Sequence, residues 1–437
     1  MTDWACSAND ALSLSLVRSE EDLRALGEEE TYEDFSPAFT YPIYGEEEKI
    51  YGYKDLKIDL RFASGSLKQY LKVEHSAKLD ASSTLDDVEG TLSQFIPPGY
   101  QTDKAAFAQQ VETDATSFRP AGQMIYSYTR PSPLASNGKG KAAASSSTPL
   151  PAESEDAIVY EVYHTTWNTP GFREYHRLMQ IFILLYIEGG SYINDDEDSW
   201  EFVVLFEKRK RRADPNVSTY HFVGYSSLYP FFHFPESVRM RLSQFVILPP
   251  YQRHRHGSEL YKAIYEYVLA QPTISELTVE DPAEAFEDLR DRNDLKMLLS
   301  NARFMEEAFG GSTISHGGGR VGGVGKGGRS GRGGAGIKPS TGKLGPPADK
   351  AWVEKWRKEL KVAGRQFHRL MELVTLSRLD PSDARSLRAY RLQVKERLYR
   401  FNFETLAQME KPERLEKLEE TFQSVCEDYQ RILAMVQ

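Results

Sequence analysis

The stretch PPYQRHRHGSELY, residues 249–261, concentrates side chains that could do chemistry. Four of them carry or can take up a positive charge: Arg253, His254, Arg255 and His256. A loop of this kind can bind phosphate, coordinate a metal or form a solvated basic turn. The metal alternative fails, because side chains two residues apart on a helix do not face each other and no cysteine lies nearby to complete a zinc site. We therefore expect no metal, and the other two alternatives stay open.

The segments on either side would give this loop a defined shape. Before it, Phe245, Val246, Ile247 and Leu248 are apolar without alternation, which is typical of a strand covered on both faces. The two prolines that follow cannot donate to a sheet ladder, so we expect pairing to fail there and the neighbouring strand to separate. The next helix should begin within 253–257, with its first N–H groups facing outward as an anion site. Such a pocket suits a ligand with an amide-bearing arm and a pyrophosphate, as coenzyme A has.

Composition narrows the classes of protein that come into question. The chain has 437 residues, 40% of them hydrophobic, which is enough for two or three folded domains. Its two cysteines, Cys6 and Cys426, lie at opposite ends, which argues against a disulfide framework and fits a reducing compartment. The formal net charge of -10 disfavours direct DNA binding and favours a cationic partner. No run approaches the ~18 apolar residues of a membrane span, so we expect no membrane partner.

Two segments divide the chain into three folded pieces. Residues 131–156 are rich in Ser, Ala and Pro and predict a flexible insertion, whereas the glycine-rich residues 310–349 predict a linker, with an RGG-like nucleic-acid tail as the alternative. The sequence thus predicts an N-terminal α/β domain over 31–130, a second domain over 157–309 and a helical bundle over 350–437. In the second domain, alternating strands followed by a strand–helix–strand unit predict the α+β class, with a mixed, mostly antiparallel sheet flanked by helices.

Several motifs carry a family resemblance. Gln252, Arg255 and Gly257, in the spacing Q-x-x-R-x-G, resemble the Q/R-x-x-G-x-G/A loop of the GNAT acetyltransferases. The stretches YGEEEKIYGYKDLKIDLRFASGSL, YIEGGSYINDDEDSWEF and TVEDPAEAFEDLRDRND resemble the catalytic subunits of the type B histone acetyltransferases, and the resemblance covers most of 41–299. It implies a GNAT-type catalytic domain over 157–309 and transfer of an acetyl group from acetyl-CoA to lysines in the tail of histone four. It also implies a WD-repeat histone-binding subunit and residence in the cytoplasm and nucleus.

Three acids are candidates for the chemistry of such a transfer. An ammonium group, with a pKa near ~10.4, must lose its proton before it can attack a thioester, so a nearby carboxylate base is useful. Glu280 ends the predicted strand ELTVE, and Asp281 precedes a proline where an N-cap is expected. From spacing alone, Glu280 is either a base or an ordinary strand-end acid. The resemblance implies that Glu280 is the general base, with Asp281 as a helper and Glu188 as a third candidate.

The coenzyme site is predicted from the loop and the strand before it. Phosphate contacts are expected from the backbone of Gln252, Arg253, His254, Arg255, His256, Gly257 and Ser258, with the side chain of Arg292 as a further partner. A backbone N–H near Ile247 or Leu248 would stabilise the oxyanion of a direct transfer in a ternary complex. Arg255 stands where the family has its first loop glycine. It either takes the same turn and adds positive charge, which we expect, or narrows the site.

Substrate selection should follow from charge and aromatic contacts. The acidic run Glu46, Glu47 and Glu48, and a second run over 195–198, would attract a basic tail if both line one groove. The resemblance places Trp200, Tyr229 and Phe231 against the peptide. Two other functions stay open: a GNAT enzyme that acetylates another amine, such as a polyamine or a protein amino terminus, and a histone-binding chaperone with impaired catalysis.

Overall fold

The computed structural model describes residues 4–28, 30–80, 85–133, 150–154, 157–211, 214, 216–310 and 342–436. These residues form two compact units, Met1–Asp281 and Pro282–Gln437. In the described part of the chain, no helix combines the length and the hydropathy needed to cross a membrane.

The N-terminal part of the first unit is built around a three-stranded sheet in the order β2-β5-β6. Its elements, in chain order, are β1 Ala5–Ser7, α1 Ala8–Ala11, β2 Leu12–Val17, α2 Glu20–Leu23, α3 Tyr41–Tyr44, β3 Lys49–Tyr51, β4 Tyr53–Lys54, β5 Lys57–Ala63, β6 Gln69–Glu74, β7 Ala77–Lys78, α4 Val88–Ser93 and α5 Lys104–Ser117. The segments LKIDLRF and YLKVEH, whose alternating apolar and polar residues are typical of half-buried strands, correspond to β5 and β6. The predicted start at residue 31 is too late, because β2 pairs with β5 in parallel and belongs to the same sheet.

A six-stranded sheet in the order β13-β12-β11-β10-β9-β8 carries the rest of the first unit. Its elements are β8 Gln123–Pro131, β9 Ala157–Thr166, α6 Phe172–Met179, α7 Ile181–Tyr186, β10 Glu201–Lys210, β11 Ser218–His233, β12 Ser237–Ile247, α8 His256–Ala270 and β13 Ile274–Val279. All neighbouring strands are antiparallel except β12 and β13, which are parallel. This confirms the predicted α+β class with a mixed, mostly antiparallel sheet.

Near one edge of this sheet, β12 contains a β-bulge, and its neighbour β13 separates from it there. Ser227 on β11 lies opposite Gln244 and Leu228 lies opposite Leu242, so that Ser243 is the extra residue. The ladder between β12 and β13 also ends at Leu242, which pairs with Val279. Strands β12 and β13 therefore separate at the bulge. The separation begins several residues before the prolines, where we expected it to begin. A bulge adds local twist, and this accounts for the earlier separation.

The second unit is helical. Its elements are α9 Glu284–Ser300, α10 Ala302–Phe309, α11 Lys350–Glu359, α12 Gly364–Leu376, α13 Ala384–Phe401, α14 Phe403–Ala407 and α15 Lys411–Val436. Helix α9 was predicted to end the 157–309 domain, but it packs with the C-terminal helices. Its buried Asp291 and Asp294 both accept hydrogen bonds from the Gln366 side chain of α12, at 2.8 and 2.9 Å.

The predicted linker is shorter than expected at its C-terminal end. The backbone N–H groups of Lys343 and Leu344 donate to the carbonyl oxygens of Glu307 and Ala308, each at 3.0 Å. Residues 342–349 are therefore part of the helical unit. The remainder of the linker, 311–341, lies outside the described residues, as do 134–149 and 155–156 of the predicted insertion.

Candidate active site

The end of β12 forms one wall of the candidate site. Val246, Ile247 and Leu248 are buried, as predicted, while Phe245 is partly exposed. The Leu248 N–H donates to the Val223 carbonyl oxygen at 3.0 Å, so the expectation that it stabilises an oxyanion is wrong. Because consecutive residues of a strand point their N–H groups to opposite sides, the Ile247 N–H points away from β11. It faces the side on which β13 has separated.

Gly224 allows β11 to approach this end of β12 closely. A Cβ atom at this position would lie 2.2 Å from the Val246 carbonyl oxygen and 2.9 Å from the Ile247 Cα. Gly224 was not among the predicted site residues. Its signal was an isolated glycine within a strand pattern, which often marks a close backbone approach.

The loop between β12 and α8 takes an unusual backbone path. Arg253 and Arg255 both lie in the left-handed region, with φ of 66° and 65°. The helix begins at His256 with Arg255 as its N-cap, so Arg255 does not take a helical conformation. It instead adopts the conformation that glycine reaches without strain, at a cost of about 1–2 kcal/mol for another residue. Residues 252–255 are exposed, and Gly257 and Ser258 lie in the first turn of α8.

Two contacts hold the exposed loop against the protein. The Gln252 side-chain amide donates to the Ile247 carbonyl oxygen at 2.8 Å. On the other side, His256 is buried, and its Nδ1 lies 2.6 Å from the Tyr128 hydroxyl. Burial lowers the pKa of His256 to about 4. His256 is therefore neutral at neutral pH and adds no positive charge to the loop.

The two histidines of the loop differ in burial and in ring orientation. His254 is exposed, and its ring centroid lies 6.3 Å from that of His256, with the two rings nearly perpendicular. Among the residues that the structure describes, no group of three or more His, Cys, Asp or Glu side chains is arranged to hold a metal ion.

Glu280 lies at the point where β12 and β13 separate. Its backbone N–H donates to the Leu242 carbonyl oxygen at 2.9 Å. The Ser243 hydroxyl donates to one oxygen of the Glu280 carboxylate, and a guanidinium nitrogen of Arg241 lies 3.6 Å from the other. The Glu280 side chain remains 43% exposed, so that a substrate can reach it. Ser243 and Arg241 were not predicted as site residues, because the contacts depend on the bulge and on the strand register.

Asp281 does not have the predicted capping role. The first residue of α9 is Glu284, and its N-cap is Ala283, without a side-chain hydrogen bond. Pro282 is accordingly not the first helical residue. Asp281 is exposed, with a φ of 30°.

An aromatic row leads from β10 to Glu280 along one face of the sheet. The ring centroids of Trp200 and Tyr229 lie 4.8 Å apart, as do those of Tyr229 and Phe231. The Arg241 guanidinium lies 4.3 Å from the Phe231 centroid and connects the row to Glu280. The structure therefore brings the three predicted peptide-contacting aromatic residues together with the predicted base.

The segment that carries Glu188 lies beside the same face. Gln244 donates from its side-chain amide to the Ser191 carbonyl oxygen at 2.8 Å. Gln244 pairs with Ser227, and Arg241 pairs with Tyr229, two residues further along β11. Because alternate residues of a strand share a face, the bulge places Gln244 on the face that carries Arg241. Glu188 is exposed, three residues before Ser191.

The first acidic run is only partly available to a substrate. The Glu48 carboxylate accepts hydrogen bonds from the backbone N–H groups of Thr40 and Tyr41, at 2.6 and 3.1 Å, and from Asn9 at 2.8 Å. These bonds, that from Thr40 above all, lower the pKa of Glu48. Glu48 thus organises its own loop, which corrects its assignment to the substrate, whereas Glu46 and Glu47 are exposed.

The second acidic run is partly neutralised. The carboxylates of Asp195 and Asp198 form ion pairs with Arg177 and Arg173, each at 2.7 Å. Glu197 instead accepts a hydrogen bond from the Tyr229 hydroxyl, at the aromatic row. The run therefore contributes less negative charge than its sequence suggests.

Arg292, the predicted side-chain partner of the coenzyme, lies on α9 in the second unit. Its Nε donates to the carbonyl oxygen of Asp288, one turn earlier, at 3.2 Å. Its role in coenzyme binding stays a prediction.

Comparison with known proteins identifies the family. The family described as "Histone acetyl transferase HAT1 N-terminus" matches residues 4–188, and that described as "Fungal HAT1, C-terminal" matches residues 339–380. The histone acetyltransferase type B catalytic subunit of Cryptococcus neoformans var. neoformans serotype D (strain JEC21) is 47% identical over 439 residues, which cover 100% of this chain and 98% of that protein. The chain belongs to the type B histone acetyltransferase catalytic subunits.

More distant members of this family match over a similar extent. The subunit of Mycosarcoma maydis is 42% identical, with 98% of this chain and 87% of that protein covered. The Homo sapiens subunit is 29% identical, with 99% and 94% covered. A solved aminoglycoside acetyltransferase from a soil metagenomic sample aligns at 13% identity with a TM-score of 0.23, covering 31% of this chain and 86% of that one, which is too limited to carry an argument.

Family membership confirms the resemblance drawn from the motifs and the enzyme class that it implies. The protein is a histone acetyltransferase, and acetyl-CoA is the implied acetyl donor. The residues that perform the transfer and the histone segment that accepts it are matters of proposal.

Proposed function

We propose that this type B histone acetyltransferase transfers acetyl groups to lysines in the N-terminal tail of newly made histone four, with Glu280 as general base. The observation that carries this proposal is the position of Glu280. Its carboxylate lies where β12 and β13 separate, is contacted by Ser243 and Arg241, and is connected through Arg241 to Phe231 of the aromatic row. A base and a peptide-binding surface thus lie at one opening.

The proposed transfer occurs directly between the two substrates. Glu280 accepts a proton from the lysine ammonium, directly or through a water, and the neutral amine attacks the thioester carbonyl carbon. The Ile247 N–H donates to the developing oxyanion, after which the carbon–sulfur bond breaks and the coenzyme leaves as a thiolate. The nitrogen that has attacked loses its extra proton, which the thiolate takes up to give the free thiol of the coenzyme. Because Asp281 follows Glu280 directly and Glu188 lies on the neighbouring segment, we propose each as an auxiliary acid rather than as the base.

The coenzyme is proposed to bind along β12 and the following loop. Its amide-bearing arm would pair with the strand edge that β13 leaves at Leu242, and its phosphates would lie against the first N–H groups of α8. Residues 252–255 are exposed at this helix end, and Arg253 and Arg255 add two positive charges. The residues present therefore fit a pyrophosphate.

The surface that carries the aromatic row fits a basic, extended peptide as the acetyl acceptor. Glu46, Glu47 and Glu197 supply negative charge, and Trp200, Tyr229 and Phe231 supply flat contact surface for a chain rich in lysine and glycine. We further propose that the enzyme binds a WD-repeat histone-binding subunit and resides in the cytoplasm and nucleus. We also propose that it does not bind DNA directly. The net charge of -10 supports the last point.

A panel of acceptors tests this function. Labelled acetyl-CoA is offered with a peptide of the histone-four tail, with the same peptide after replacement of its lysines by arginine, and with spermidine. We expect label in the first peptide only. Label in the arginine peptide or preferentially in spermidine would assign the enzyme to another amine. Coenzyme binding without transfer to any acceptor would favour the chaperone alternative.

A further inference from the structure

A buried polar network lies behind the loop between β12 and α8. Glu207 on β10 is fully buried, as are Arg18, which follows β2, and Tyr251, which directly precedes the loop. Arg18 donates to the Glu207 carboxylate at 2.7 Å and to the Tyr251 hydroxyl at 2.9 Å. The Tyr251 hydroxyl in turn donates to the same Glu207 oxygen at 2.7 Å. Three segments that are far apart in sequence thus meet in one closed triangle of hydrogen bonds.

Charges and aromatic rings complete this network. Arg209 contacts the other Glu207 oxygen and also pairs with Glu30. The Arg18 guanidinium lies 3.7 Å from the Tyr32 ring centroid, and the Tyr32 and Tyr251 centroids are 5.2 Å apart. Although burial alone would raise the pKa of Glu207, the two arginines hold it well below its usual range. A buried carboxylate with this set of partners is costly to rearrange, because removal of one partner leaves charge uncompensated.

The backbone next to Tyr251 needs external support. Arg253 and Arg255 occupy left-handed conformations, and such conformations persist only where the surrounding structure determines them. Tyr251 fixes the loop at its start and His256 fixes it at its end, with their ring centroids 5.8 Å apart. The exposed residues between them have no comparable buried contact of their own, apart from the Gln252 amide bond to Ile247.

We propose that the Arg18–Glu207–Tyr251 network holds the loop in the conformation that binds coenzyme phosphate, with Tyr251 as its positioning residue. This inference rests on the proposed function, in which residues 252–258 contact the phosphates. It assigns a task to buried residues that touch neither substrate. It also makes coenzyme affinity depend on Arg18 in the N-terminal part of the chain, which no loop motif indicates.

The test removes one hydroxyl group. Tyr251→Phe keeps the ring and deletes the donor to Glu207 and the acceptor for Arg18. We expect the Kd for acetyl-CoA, measured by calorimetry without histone peptide, to rise about tenfold, in line with loss of a hydrogen bond to a charged group. Amide hydrogen exchange at 252–256 should become faster, while kcat at saturating acetyl-CoA stays within about twofold. Arg18→Lys, which keeps the charge but not the bidentate geometry, should act in the same direction.

A matched control separates positioning from general destabilisation. Tyr163 on β9 also donates its hydroxyl to a glutamate of the same sheet, Glu161, at 2.6 Å. Tyr163→Phe should lower stability without changing the Kd for acetyl-CoA or the exchange at 252–256. Equal changes of Kd in both variants would overturn the inference.

A further comparison distinguishes this inference from the proposed function on which it rests. If Arg255→Gly changes the Kd for acetyl-CoA and Tyr251→Phe does not, the loop binds the coenzyme but the network does not position it. If neither variant changes the Kd, the loop is not the phosphate site, and both the inference and that part of the proposed function fail.

Discussion

At the scale of single residues, Arg255 shows most clearly which features the sequence predicts and which only the structure gives. The motif indicated that an arginine stands where the family has glycine, but not which backbone conformation it would take. In the structure it keeps a left-handed φ of 65°, so the path of the loop does not depend on a glycine. Neither helix propensity nor charge pattern could predict this, because the conformation is imposed by the contacts of Tyr251 and His256 on either side.

Arg255→Gly removes the positive charge of this residue and also relieves the strain of its left-handed backbone. Two measurements distinguish these effects. We expect the KM for acetyl-CoA to rise severalfold, because one positive charge beside the phosphates is lost. Stability should change by less than about 1 kcal/mol, since relief of left-handed strain is offset by the greater entropy of glycine in the unfolded chain. Steady-state kinetics and urea unfolding measure the two effects.

Arg253→Gly is the control, because Arg253 has nearly the same φ, 66°. It should alter stability to the same extent. A fall in the KM of Arg255→Gly would contradict the account and indicate that the arginine narrows the site.

At the scale of elements, the end of β12 and the start of α8 were predicted to within a few residues, whereas the opening between β12 and β13 was misplaced. The alternation of apolar and polar residues lies within a single segment, so it predicts a strand without knowledge of the strand's partners. The bulge at Ser243 is a property of the register between two strands, so neither strand contains it alone. The same reason explains why Ser243 and Arg241, the contacts of Glu280, were missed, while Glu280 itself was found at a strand end.

Gly224→Ala tests the importance of the close approach between β11 and β12. The added Cβ would lie 2.2 Å from the Val246 carbonyl oxygen, so the end of β12 must shift. We expect a loss of stability of about 1–3 kcal/mol, typical of overpacking, and a fall in kcat/KM for acetyl-CoA. Gly364→Ala is the control, since its nearest neighbour would be an arginine side-chain carbon at 3.9 Å. Unchanged kcat/KM in a folded Gly224→Ala protein would show that the strand end tolerates displacement.

At the scale of the whole molecule, the sequence indicated three folded pieces, and the structure groups the described residues into two units. Helix α9 was placed with the sheet because it follows β13 closely in sequence. Its buried carboxylates, however, are paired with Gln366, more than 70 residues later. Long-range pairing of this kind has no local sequence signal.

Acid should destabilise the first unit through its buried histidines, among them His256. The pKa of His256 is about 4 in the folded protein, below the unfolded value of ~6.5. As the pH falls below ~6.5 the unfolded chain takes up a proton that the folded chain does not bind until about pH 4. The free energy of unfolding should therefore fall across this window, by up to about 3 kcal/mol from His256 alone.

Urea unfolding at pH 7 and pH 4.5 measures this dependence. His256→Gln should reduce the difference between the two pH values, whereas the exposed His254→Gln should leave it unchanged. An equal reduction in both variants would contradict the assignment of the effect to the buried ring.

The most direct test of the account is the turnover of Glu280→Gln on a histone-four tail peptide, beside the Kd for acetyl-CoA. Glu276→Gln is the control, because Glu276 lies on β13, which directly precedes Glu280, and pairs with Arg239 as Glu280 pairs with Arg241. We predict that kcat falls about 100-fold or more in Glu280→Gln, as expected for loss of a general base, while the Kd stays within about twofold and Glu276→Gln retains turnover. Wild-type turnover in Glu280→Gln would contradict the account and remove Glu280 as the base.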